Sequence, residues 1–273
     1  MPPDLDTEEH QNEFLKLLLL LALRAERRAE RFFNPELRSA LNNVLDLLND
    51  LPDTGFSRQI QWQQMQPVMF EALGDLEDVM SEKMPEIMEE QAGRASNAAA
   101  NVMRIAAATT LLLPINREQV REQARRTARR IADDINRKVR SGILRDDSTQ
   151  KIQDDIGRRV RKNGSQSVYT IKGTTSNLAR SRMKNFVAGE VWKATSDATA
   201  QTWSELTEVV YVWNAILDPV TCPICRPLHQ TIVQKPQSFV SVLNEVSPYS
   251  RTSPPVHPNC RCCIMPRRIL RRQ

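Results

Sequence analysis

The sequence predicts a mainly α protein: an elongated helical N-terminal and middle region followed by a small C-terminal α+β module. Two observations carry the helical part. Among 273 residues there are only 8 Gly and 14 aromatic side chains, too few turn formers and strand formers for a β-sandwich or barrel. Hydrophobic residues at 40% and charged residues at 26% give the balance of a folded chain with long amphipathic helices. The third observation sets the C-terminal end apart: all five cysteines fall in the last 52 residues, where Pro and Ser also become frequent.

Taken in order, the elements begin with a helix over 7–33. Thr7 can cap it, Glu8 and Glu9 suit the positive end of its dipole, and Arg24, Arg27, Arg28 and Arg31 suit the other end. Leucines fill almost every position from 15 to 21, so this helix is apolar nearly all round for two turns and is buried on several sides. The apolar run Leu17–Leu23 spans about 10 Å as a helix, well short of the roughly 20 residues a bilayer requires. The acidic stretch Met1–Glu13 before it is unlike a secretory leader, which predicts a reducing compartment and no membrane anchor. Asn34-Pro35 is expected to end the helix and Pro35 to open another over 35–50, with Leu37, Leu41, Val44, Leu45 and Leu48 at 3–4 spacing.

Leu51–Gly55 reads as a turn, and 57–92 as helix broken around Pro67 and Pro85. The Ala/Leu-rich stretch Asn97–Leu113, ended by Pro114, reads as a core helix. The clearest periodicity lies over 117–141, where Val120, Ala124, Ala128, Ile131, Ile135 and Val139 form one face. A helix from Ser148 to about Arg161 has Ile152, Ile156 and Val160 on its stripe and stops at Asn163-Gly164. Another opens at Ser176 or Asn177 and runs to about Leu206. Then the period falls to 2: residues 209, 211, 213 and 215 alternate as in a strand. Composition divides the chain into an acidic Leu-rich helical region (1–114), a basic helical segment (115–173) and a C-terminal unit (174–273).

Charge is strongly polarised. The net +5 conceals −10 over residues 1–100 and +15 over 101–273, with +9 concentrated in 101–172. Arg121, Arg125, Arg129, Arg130, Arg137 and Arg140 cover much of the polar side of the 117–141 helix and are the candidate nucleic-acid contacts. Tyr169 is the only aromatic residue in 101–172, so a stacking platform for single strands is missing and the expected contact is to duplex phosphates.

The cysteines carry the chemistry. The pattern is Cys222-x2-Cys225, a 31-residue spacer, then His257-x2-Cys260-x-Cys262. Each pair places Pro after its first candidate ligand and Arg after its second: Cys222-Pro-Ile-Cys225-Arg226 and His257-Pro-Asn-Cys260-Arg261. Two such knuckles supply four ligands of the kind tetrahedral Zn²⁺ takes, with Cys262 able to replace Cys260 or His257. A closed set leaves no position for water, so the expected zinc is structural, and it compensates for a short, polar, Pro-rich stretch with little core. The module is therefore read as a zinc knuckle. Two disulfides with a spare thiol, or a Cys/His nucleophilic dyad, remain open on the same residues. Cys263 is expected to pack against the strand, Asp218-Pro219 to form a turn and cap, His229 to be a loop residue and His10 to have no role. No P-loop, dinucleotide-binding glycine pattern, HExxH or GxSxG is present, so no enzyme is expected.

The stretch from Val212-Trp213 through Asp218 to Cys222-Pro-Ile-Cys225-Arg-Pro-Leu228, followed by Pro254-Pro-Val-His257-Pro-Asn-Cys260-Arg261-Cys262, resembles the phage Mu F-like minor head protein (head morphogenesis) family. The helix beginning Leu178-Ala-Arg180-Ser181 extends the likeness over about 175–266. Two places depart from the family pattern: Arg180-Ser181-Arg182 stands for Arg-Thr-Glu, and Leu228-His229-Gln230 for Leu-Asp-Gly. The resemblance implies a minor capsid component in the head interior, associated with the portal protein, assembled in the host cytoplasm, oligomeric where the portal ring imposes it, and in contact with double-stranded DNA during packaging. A cytoplasmic zinc-containing nucleic-acid-binding regulator is the alternative that the charge pattern leaves.

Overall fold

A computed structural model describes residues 7–52, 56–103, 115–161, 169–203, 206, 209–219, 221–234, 254 and 260–268. The elements are α1 (Glu8–Asn49), α2 (Phe56–Met103), α3 (Arg117–Leu144), α4 (Thr149–Ile156), β1 (Arg158–Arg161), β2 (Tyr169–Lys172), α5 (Thr174–Trp203), β3 (Val209–Asn214), α6 (Cys225–Leu228), β4 (Ile232–Val233) and β5 (Cys263–Arg268). The protein is mainly helical, with a two-stranded antiparallel hairpin β1-β2 and a three-stranded antiparallel sheet ordered β4-β3-β5.

The helix breaks expected at three prolines do not occur. Pro35 lies inside α1, and Pro67 and Pro85 lie inside α2. An interior proline removes one backbone bond and crowds the preceding turn, at about 3 kcal/mol. The buried stripe continues in phase through each of them: Ala29, Phe33, Leu37, Ala40, Leu41, Val44 and Leu48 across Pro35, Trp62, Met69 and Leu73 across Pro67, and Met80, Met84, Ile87 and Met88 across Pro85. Each fully buried Leu, Phe or Met contributes about 1.5–3 kcal/mol, so one interrupted bond is outweighed. The expected helix over 97–113 is seen as the last turns of α2 up to Met103, and 104–114 lie outside the described residues.

A further correction concerns 148–161. The side chain of Ser148 caps α4 by accepting from the Lys151 N–H at 3.2 Å, but the helix closes at Gly157 and Arg158–Arg161 form β1, so Val160 belongs to a strand. The local reason is packing. A Cβ on Gly157 would lie 2.1 Å from Ile171 Cγ2, and one on Gly173 would lie 2.5 Å from the Gly157 Cα. The two glycines face each other where the hairpin leaves α4 and enters α5, and the register Arg158↔Lys172, Arg159↔Ile171 follows. The stop expected at Asn163-Gly164 lies outside the described residues.

The chain divides into two compact units. One comprises 28–85 and 117–186. Its core is built from the second half of α1, the first part of α2 and α3, including Leu41, Trp62, Met69, Leu73, Ile131 and Ile135, all at most 3% exposed. The Trp62 indole N–H donates to Asn136 Oδ1 at 3.2 Å, and the fully buried Arg58 donates to the Asp147 carbonyl and to Thr149 Oγ1.

The other unit comprises 1–27, 86–116 and 187–273. The end of α2 and the end of α5 are stitched by Gln91 Nε2 donating to Thr195 Oγ1 at 2.9 Å, by a Ser96–Thr202 hydroxyl pair at 2.8 Å and by Trp203 Nε1 donating to the Ala99 carbonyl at 3.1 Å. Phe14 of α1 meets Trp203 with ring centroids 5.4 Å apart. The Tyr211 hydroxyl on β3 donates to the Trp203 carbonyl at 2.6 Å, which hangs the small sheet on the end of α5. As the alternation predicts, 209–214 form a strand, and it is central: Tyr211, Val212, Trp213 and Asn214 are all buried. Pro266 fits β5 because that strand is an edge, where a missing N–H need not break a ladder.

Replacing Gly173 with Ala drives a methyl into the Gly157 backbone, which cannot give way as a side-chain tip can. The expected outcome is a loss of about 1–3 kcal/mol, read as a lower thermal midpoint for the full-length protein. An unchanged midpoint contradicts the glycine contact.

Candidate metal centre

The first knuckle follows β3 directly. Residues 215–217 leave the strand, Asp218-Pro219 turns the chain, and Pro223-Ile224 turns it again into the one-turn helix α6 that begins at Cys225. The Cys225 backbone N–H points at Cys222 Sγ at 3.2 Å, and the Arg226 N–H bonds the Cys222 carbonyl at 3.1 Å. An N–H aimed at a sulfur stabilises the thiolate form that metals bind. The second arm is the run Cys260–Cys262 entering β5, which pairs with β3 so that Cys263 lies opposite Asn214.

Three thiols meet between these arms. Cys225, Cys260 and Cys262 are each at most 4% exposed, and their sulfur atoms all lie within 4.8 Å of one another, with Cys225 and Cys260 Sγ at 3.8 Å. None of the five cysteines is in a disulfide. Of the expected ligands, then, three converge. Cys222 sits at the adjoining turn, outside that trio though joined to it through the Cys225 N–H. His257 lies outside the described residues.

The electrostatics of the cluster are those of sulfurs crowded away from water. The Cys225 thiol is pushed up, first by its hydrogen bonds to Cys260 and Cys262 and then by burial. At Cys262 the largest single influence, a hydrogen bond from Cys225, lowers the pKa, but Cys260 and burial outweigh it and the net shift is upward. Cys263, packed against the strand as expected, is pushed up to about 12 by burial. The Trp192 indole fixes Cys262 by donating from Nε1 to its carbonyl at 3.1 Å. Three thiolates are a donor set that Zn²⁺ accepts, and a divalent cation bound there would neutralise them.

Asp218 does more than the turn and cap expected of it. Its carboxylate receives Arg261 Nη2 at 2.7 and 2.9 Å and the Thr221 hydroxyl at 3.1 Å, while its carbonyl accepts from Arg226 Nη2 at 3.4 Å. The two arginines that follow the knuckle cysteines thus converge on one aspartate and tie the first arm to the second. The signal was in the sequence as the repeated Cys-Arg, but nothing in a linear pattern says where a guanidinium goes. His229 was also under-read. It sits in the turn after α6, where Nδ1 accepts from the Ala215 N–H at 3.2 Å and Nε2 faces Glu8 Oε1 at 3.3 Å, so it bridges the end of β3 and the start of α1.

The candidate nucleic-acid residues are placed on α3, but most of their charge is answered locally. Arg121 and Arg125 lie 3.9 and 3.3 Å from Glu118, Arg129 is 3.1 Å from Glu77, and Arg137 is 3.7 Å from Asp134. Among the described residues, Arg130 and Arg140 have no carboxylate partner. Exposed pairs of this kind add little stability, and Arg121 and Arg125 share the one carboxylate of Glu118.

A mainly helical protein whose terminal sheet is clasped by buried thiols is what the fold and the site together define. The chain belongs to the phage Mu protein F like family, whose profile matches residues 129–265. The match starts within α3, well upstream of the likeness read at 175–266, and ends in β5. It points to head morphogenesis in a phage particle. No curated protein and no solved structure matches the chain. Among the described residues no helix is long and apolar enough to cross a membrane.

Replacing Asp218 with Ala removes the Arg261 and Thr221 contacts together. It is expected to cost about 1–2 kcal/mol, the pair being partly exposed, seen as an earlier urea midpoint for the full-length protein. A midpoint equal to wild type contradicts the clasp.

Proposed function

We propose that this protein is a minor capsid component that acts in head assembly at the portal vertex and remains inside the virion head. Membership of the phage Mu protein F like family over residues 129–265 is the observation that carries this reading. The role is structural. Raised pKa values at Cys225 and Cys262 disfavour a resting thiolate nucleophile, which argues against thiol catalysis.

Cys225, Cys260 and Cys262 would hold a zinc ion, with Cys222 or His257 completing four ligands. When bound, the metal supplies cross-linking of β5 to the segment after β3, and no reaction. The chain's own part is to aim an N–H at Cys222 Sγ, to fix Cys262 through its carbonyl on Trp192, and to hold the arms together through Asp218. Head location also supports contact with packaged double-stranded DNA, by phosphates and without sequence preference.

The expected outcome in purified particles is this protein at low copy number together with the portal protein, by quantitative mass spectrometry of proheads and virions. Its absence from both overturns the assignment.

A further inference from the structure

The start of α1 carries more apolar surface than its own core uses. Phe14, Leu15, Leu18 and Ala22 are turned inward, each at most 2% exposed. At about 100° per residue, Leu20 lies nearly opposite Leu18 and Ala22. It is 55% exposed, and Leu17 and Leu23 on the same side are 42% and 44% exposed. Leu17 also lines a groove between α1 and the end of α2, together with Leu21, Ala98 and Val102. Outward leucines continuous with an apolar groove are surface that a partner helix can remove from water.

The charges at the two ends of this face select the partner. Glu9 and Glu13 stand at one end, Arg24 and Arg27 at the other, and all four are exposed. Unlike most of the α3 arginines, none of the four has an ion-pair partner among the described residues. Seven residues make nearly two turns, so Glu13, Leu20 and Arg27 share one stripe. In an antiparallel pair of these helices with its two-fold axis at Leu20, Leu17 lies across from Leu23 and Glu13 across from Arg27, each contact occurring twice. A parallel pair would set Glu13 on Glu13 and Arg27 on Arg27. Lys16 and Arg24 fall on opposite edges of the stripe, each beside a leucine of the other copy, which its aliphatic stem can cover.

We propose that the outer face of α1, with Leu17, Leu20 and Leu23 at its centre and Glu13 and Arg27 at its ends, is a self-complementary interface through which two copies of this chain associate antiparallel. Acid at one end, base at the other and leucine between make a surface that is its own complement under a two-fold rotation. All of these residues lie within one compact unit. Three leucines per copy make a small interface, so the dimer forms and dissociates with protein concentration. The inference stands apart from the head-protein reading, since it needs no other component of a particle.

The test is sedimentation velocity on full-length protein over a concentration series, at low salt. The samples are wild type, Glu13→Arg, Arg27→Glu, an equimolar mixture of those two variants, and Leu20→Asp. Wild type is expected to pass from one chain to two as concentration rises. Each charge reversal sets two like-charge contacts in the dimer and is expected to weaken it about tenfold or more. In the mixture every end contact is again between opposite charges, so the dimer returns although neither variant forms it alone. Leu20→Asp, which places two carboxylates at the two-fold axis, should leave single chains; it decides the matter if a charge reversal fails to fold. Wild type that stays a single chain throughout overturns the proposal, and means that this chain or another protein covers the face. So does a dimer indifferent to the reversals or to Leu20→Asp, or a mixture that fails to re-form it.

Discussion

Three sulfur atoms within 4.8 Å of one another, buried between the segment after β3 and the start of β5, set the terms for the C-terminal module. The sheet they close has strands of 6, 2 and 6 residues, too little by itself to be stable without support. Support comes from two sides. Tyr211 and Trp192 bind the sheet and Cys262 to α5 through hydrogen bonds, and the thiols bind strand to turn. Crowded sulfurs are a poor clasp when each must keep its proton and a good one around a divalent cation. The same burial that helps to raise the pKa of the Cys225 and Cys262 thiols disfavours a resting thiolate.

Around that cluster the polar contacts form a consistent second layer. Asp218 collects Arg261 and Arg226, so the residue following each knuckle cysteine is used in the same way. His229 accepts from Ala215 and faces Glu8, which fixes the exit of β3 against the first turn of α1. At Gln230 the backbone takes φ 62°, a turn conformation that returns the chain so that its N–H reaches the Trp213 carbonyl at 2.8 Å. Each contact constrains where Cys225 and Cys262 can be.

Much of this was legible in the residues. The Cys-x2-Cys and Cys-x-Cys spacings marked the cluster, the alternation at 209–215 marked β3, and the stripe Val120 to Val139 marked α3. What misled were Pro35, Pro67 and Pro85, read as helix ends. Local rules weigh a proline against one backbone bond, whereas the outcome was decided by apolar stripes that stay in phase across each of them, a tertiary quantity. Gly157 carries no stop signal of its own within the periodic stretch, and only the close approach of Ile171 and Gly173 explains why the helix ends there. The partners of Asp218 and His229 lie 43 and 221 residues away, beyond any linear motif.

The central claim is that the thiol cluster is a structural metal site. Its most direct test is zinc per chain by elemental mass spectrometry on full-length protein purified without added metal, with alkylation of the same sample. One zinc per chain, Cys225, Cys260 and Cys262 protected until a chelator is added, and a lower thermal midpoint after chelation are the result predicted. Metal-free protein that is fully folded and unaffected by chelator would contradict it.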